Sequence, residues 1–138
     1  MFDVESAFVD VEVIEQGKWI ALGADFPGVE IRAKGLSSTD AKTLYDKLRR
    51  EAPRTDKLAN GQLSEAAQER ILREVVLEKC LLDWRGFASG GKELPFNKKT
   101  AEGFMTEPKA RRVGMAIVTA ILAIDETRAA KAEEIAKN

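Results

Sequence analysis

The apolar residues of this chain change period once, at Gly35, and that change limits what each part can fold into. Before it they alternate. Over Phe8 to Ile14, Val9, Val11 and Val13 fall on one face and Asp10 and Glu12 on the other, a period of two that predicts a strand. Gln16-Gly17 offers a turn and Trp19 to Leu22 a returning strand, so a hairpin is expected. Gly23 to Gly28, with Pro27-Gly28 near its end, reads as a loop. Val29, Ile31 and Ala33 then point inward while Glu30, Arg32 and Lys34 face water.

After Gly35 the period becomes that of a helix. Ser37 and Asp40 have the spacing of a capping box, with Leu36 placed to staple against Ala41. Ala41, Leu44, Tyr45 and Leu48 make one apolar stripe, and Pro53 ends that helix. Arg54 to Gly61 is a polar connection, after which Ser64 caps a second helix expected to run to Trp84. Its second half, from Val75 to Trp84, is apolar nearly all round and reads as the centre of the core. Gly86 to Gly91 breaks the pattern. Asn97 can cap a short helix through Met105, with Phe96 stapled to Ala101. A long helix starts near Pro108, a residue suited to a first turn, and buries Val113, Ile117, Ala120, Ile121 and Ile124. Glu133 and Lys137 stand at a favourable i,i+4 spacing. Helical throughout, Pro108 to Lys137 would be roughly 45 Å long, more than the width of a domain of this size, so its last turns are expected to project, fray or dock.

These elements add up to an α+β fold: a small N-terminal antiparallel sheet, then a mainly helical body with a long C-terminal helix. A chain of 138 residues suits a single domain. Residues 1–36 form its β-rich part, 37–125 a helical core, and 126–138 a polar helical or frayed tail.

Histidine is absent, which removes the commonest general base and metal ligand and the usual partner of a Ser or Cys nucleophile. With one cysteine, Cys80, there is no internal disulfide and no thiolate metal cluster. The net charge of −1 provides no global field for nucleic acid or anionic membrane. The apolar run Val113 to Ile124 falls short of the ~20 residues that span a bilayer, and the acidic start Met1-Phe2-Asp3-Val4-Glu5 lacks the basic character of an export signal. No membrane association and a cytoplasmic location are expected.

The remaining chemistry has plain structural accounts. Gly86 to Gly91 lacks the Lys-Ser/Thr ending of a phosphate loop and follows a helix in this reading. Glu133-Glu134, and Glu65 with Glu69, sit on solvated helix faces with nothing to shift a pKa. Arg49, Arg50, Arg54 and Lys57 lie close enough to form a patch, for which surface solvation is the better account. Cys80, among Leu and Val, reads as a small buried hydrophobe. No catalytic group, cofactor or metal is expected. The most distinctive stretch is Trp84-Arg85-Gly86-Phe87 followed by Gly90-Gly91-Lys92-Glu93-Leu94-Pro95-Phe96. Its aromatic residues can anchor a loop to the core, or leave part of the set Trp84, Phe87, Leu94 and Phe96 exposed for a partner.

That stretch also resembles tail assembly chaperones of long-tailed (siphophage-type) bacteriophages. The shared arrangement is a helix ending in a Trp-x-Gly-hydrophobic turn, then Gly-x-x-hydrophobic-Pro-hydrophobic, a short helix and a long C-terminal helix. Upstream, Val29-Glu30-Ile31-Arg32-Ala33-Lys34-Gly35-Leu36 is similar to the strand before the first helix of such proteins, and the likeness spans roughly residues 29 to 124. The resemblance implies a non-enzymatic protein of the infected host cytoplasm. Its partners would be the tape-measure protein and tail-tube subunits, with homo-oligomers possible. Many such chaperones have a second, frameshifted length. None of their binding residues carries over as a motif, so Trp84, Phe87, Leu94 and Phe96 are partner-binding candidates from position and type. The alternatives are a structural virion subunit, such as a connector or tail component, and a small nucleic-acid-binding regulator; composition disfavours nucleic acid as partner.

Overall fold

A computed structural model of the protein describes residues 1–129. It is a mixed fold with a three-stranded antiparallel sheet and a long C-terminal helix. The first expected strand is the first correction. After a 3₁₀ turn at Val4–Ala7, Asp10 accepts a hydrogen bond from the Val13 amide and caps a short helix, α1, Val11–Gln16. Helical geometry turns Ile14 into the core and leaves Val9 and Val11 exposed, so the alternation was a pattern the burial did not use. Gly17 closes α1 at φ +87° instead of turning a hairpin.

The hairpin forms one step later. Strand β1, Lys18–Ala21, pairs antiparallel with β2, Glu30–Ala33, across the expected loop. Val29, Ile31 and Ala33 are buried, as their alternation requires.

Helix α2 covers Thr39–Glu51 with Ala41 buried and Leu44, Tyr45 and Leu48 half-buried. The expected capping box at Ser37 does not form. Two carboxylates from elsewhere take its place. Asp125 accepts from the Ser37 amide at 2.9 Å and its hydroxyl at 2.7 Å, while Glu15 accepts from the Thr39 amide at 2.9 Å and hydroxyl at 2.8 Å. Glu15 satisfies a first-turn donor at the positive end of α2, and Asp125 holds the residue that leads into its cap. Asp125→Ala should therefore lower stability by about 1–2 kcal/mol, measurable as a shifted urea midpoint with unchanged slope.

Helix α3 runs Glu65–Val75 with Ser64 as its cap, and there the second correction falls. The chain widens into a π turn, Val76–Cys80, and becomes a strand, β3, Leu81–Arg85. The helix expected through Trp84 stops because β2 offers this segment backbone pairing. Ala33 pairs with Leu81 and Arg32 with Asp83, so Leu82 is the extra residue of a β-bulge. The bulge lets Leu81 and Trp84, three apart, both face inward. That spacing imitates a helix.

Strands β4, Ala88–Ser89, and β5, Lys92–Glu93, form a small hairpin on Gly90-Gly91. Helix α4, Lys98–Thr106, is capped by Asn97, which accepts from the Lys99 and Thr100 amides. After a 3₁₀ turn at Pro108–Ala110, α5 runs Arg111–Asp125 and packs on β1, β2 and α4. It buries Ile117, Ala120, Ile121 and Ile124, while Val113 is half-buried. A Cβ on Gly114 would stand 2.5 Å from the Phe104 carbonyl oxygen, so glycine sets how closely α4 and α5 approach.

The long helix ends at Asp125 and does not project as a helix. Residues 126–129 fold back instead. The Thr127 carbonyl accepts from Asp10, the Ala129 amide donates to Phe8, and Arg128 pairs with Val9. The rest of the expected polar tail, including Glu133 and Lys137, lies outside the described residues.

Candidate functional site

Trp84 leaves β3 pointing into the body and is 4% exposed. Three phenylalanine rings surround it. Phe87 and Phe96 meet it edge-on at 5.3 and 4.9 Å, and Phe104 stacks at 5.4 Å with a 28° tilt. Phe87 and Phe104 also meet edge-on at 5.5 Å. These are favourable arrangements for rings whose faces are negative and edges positive. The indole N–H donates to the Leu94 carbonyl at 2.9 Å, and the Leu94 amide donates to the Phe87 carbonyl at 2.9 Å. The β4–β5 hairpin is thereby tied at its base to the core.

Of the four residues singled out from sequence, Trp84, Phe87 and Phe96 come together as rings, and Leu94 joins them through its backbone carbonyl and amide. Trp84 lies beneath the cluster; Phe87, Leu94 and Phe96 are half-buried at its rim. Phe104, which sequence reasoning passed over, joins them from α4. Its signal was present: Ala101, Phe104 and Met105 fall at i, i+3 and i+4. A cavity of about 500 Å³ opens beside Phe104, with Asn97, Thr100, Glu107 and Lys109 around it. The arrangement can offer a partner a rigid aromatic rim with charges close by.

Among the described residues two titratable groups are shifted, and both have structural causes. Asp56 accepts a hydrogen bond from Arg70 and holds its guanidinium above the ordinary arginine range. Burial, and secondarily the charge of Asp125, push the Cys80 thiol up to about 12, against a smaller opposing effect of Lys34. The thiol is fully buried and donates weakly to the Gly35 carbonyl at 3.8 Å. Its folded pKa lies above the ordinary 9.0, so its contribution to stability is intact below pH 9 and is lost as pH rises towards 12. Native protein should resist thiol-labelling reagents near neutral pH, and labelling should follow global unfolding. Rapid stoichiometric labelling of folded protein would contradict this burial.

Among the described residues, no three of His, Cys, Asp and Glu come together as a metal site, and no helix is long and apolar enough to cross a membrane. Further apolar surface is exposed at Phe2, Val4, Phe8 and Val11 near the N-terminus, and at Met115 and Leu122 on α5.

The chain matches the model of a family described as YdaY prophage protein over residues 36–138. No curated protein and no solved structure matches it. The matched span contains α2 to α5 and the whole aromatic cluster; β1, β2 and α1 lie before it.

Proposed function

This chain belongs to the YdaY prophage protein family, and on that premise we propose that it is a tail assembly chaperone, a non-enzymatic protein that holds the tape-measure protein and tail-tube subunits during tail assembly in the host cytoplasm. The observation that carries the reading is the aromatic rim. Phe87, Phe96 and Phe104 are kept half-exposed around a buried Trp84, whose indole donates to the Leu94 carbonyl. A rim held from below costs little ordering on binding, and aromatic residues dominate binding energies at interfaces. The prophage family supports a role in a phage life cycle; the finer reading rests on the resemblance of residues 29–124 to tail assembly chaperones, in which the helix expected before the Trp-x-Gly turn is here the strand β3. A chain without histidine whose one thiol is buried suits a protein that binds and does not catalyse.

A transient chaperone and a permanent tail part separate in the particle. Mass spectrometry should find the chain in lysates of induced cells and not in purified virions. Recovery at a fixed ratio to the tail proteins would instead make it a structural subunit.

A further inference from the structure

The last turn of α2 and the loop from Lys57 to Leu63, none of whose residues belongs to the aromatic cluster, border an open cavity of about 590 Å³. The loop is shaped by its own backbone. Lys57 pairs with Leu63, and the Leu58 amide donates to the Gln62 carbonyl at 2.7 Å. It thus brings Lys57 and Gln62 to the same cavity as Arg49, Arg50, Tyr45 and Gln68. No carboxylate of the described residues lines it. Asp56, the nearest acid in sequence to Lys57, is held by Arg70 at 2.5 Å, and Asp46 reaches Arg49 only at 3.6 Å. Arg50 and Lys57 pair with no carboxylate among the described residues. The C-terminal dipole of α2 accounts for its arginines, but not for a lysine and two side-chain amides supplied by other elements.

A second, apolar cavity shares Tyr45 with the first. There Tyr45 lines a slot of about 200 Å³ with Leu36, Leu72 and Val75, and with Lys42 and Asp46, one charge of each sign. Taken together the two cavities make a groove with an apolar and a cationic part that share one tyrosine, whose ring the Arg49 guanidinium overlies at 6.0 Å.

We propose that this groove docks an acidic peptide segment of a partner protein, with one large apolar side chain in the Leu36–Leu72–Val75 slot and carboxylates on Arg49, Arg50 and Lys57. Charge complementarity selects the sign of the occupant, and the slot selects a peptide over nucleic acid. A base needs a flat aromatic platform, and Tyr45 is the one aromatic residue of the described chain lining either cavity. The chain's net charge of −1 also opposes an extended polyanion. The inference goes beyond the tail-assembly reading, because the groove's chemistry chooses a segment whichever protein carries it.

The test is fluorescence anisotropy on the full chain with a short labelled peptide of alternating glutamate and leucine. Its glutamine-for-glutamate counterpart and a labelled single-stranded oligonucleotide serve as probes of the other chemistries. The glutamate peptide should bind, weaken with salt, and lose about tenfold in affinity on Arg50→Glu with Lys57→Glu. Both residues are exposed, so the double variant should keep its far-UV spectrum. Leu72→Gln should weaken the same peptide without removing its salt dependence. The proposal is overturned if the oligonucleotide binds more tightly than the peptide, if the glutamine peptide binds equally well, or if the double charge reversal leaves affinity unchanged.

Discussion

Trp84→Ala should lower the folding stability by about 3–5 kcal/mol, a large share of what a domain of this size possesses. Three losses coincide at that position. The indole is 4% exposed and fills the space between β3 and α4; it contacts Phe87, Phe96 and Phe104; and its N–H is the partner of the Leu94 carbonyl. Alanine leaves a cavity lined by rings too rigid to collapse into it, and an acceptor without its donor. Trp84→Phe keeps most of the packing and loses the hydrogen bond, so its cost should be about 1–2 kcal/mol. Urea titrations give both values. A loss below about 1 kcal/mol for the alanine variant would mean that the hairpin is anchored by something other than this indole.

Gly86→Ala should cost about 3 kcal/mol, although it adds one methyl group. Gly86 follows β3 at φ +92°, a conformation that side chains resist, and a Cβ there would be driven onto the Gly28 carbonyl oxygen and to within 3.0 Å of the Val29 Cα. Both neighbours are backbone and cannot swing aside. Gly91 isolates the first of these effects. It has φ +81° and open space within 4 Å of where a methyl group would stand, so Gly91→Ala should cost only about 1 kcal/mol. Equal costs at the two positions would show that the close approach of β3 to the 22–29 loop is not rigid.

What could be read from the sequence follows from which physical signals are local. Helix α4 with its Asn97 cap, the stripe of α5 and the alternation of Val29, Ile31 and Ala33 are each decided within a few residues, and each stands in the structure as expected. The errors lie where a distant partner decides. Leu81 to Trp84 became a strand because β2 was available to pair with it, and the bulge at Leu82 gave it a spacing that imitates a helix. Phe8 to Ile14 alternates, yet Asp10 caps a helix there and Thr127 to Ala129 return to meet its first residues. Ser37 has the local spacing of a capping box, but Asp125, far along the chain, takes its donors. At the aromatic site, type and turn chemistry identified Trp84, Phe87, Leu94 and Phe96. Phe104 was missed because it belongs to the cluster only through the docking of α4, which Gly114 permits.

The central claim is that this prophage protein holds tail proteins before they assemble. Co-expression with tape-measure and tail-tube proteins of the phage that carries it, followed by affinity capture and a solubility assay, tests it most directly. The account predicts that the tape-measure protein is captured and more of it stays soluble, and that Phe87→Ala with Phe96→Ala removes both effects while the variant remains folded. Absence of capture and of any gain in solubility would contradict it.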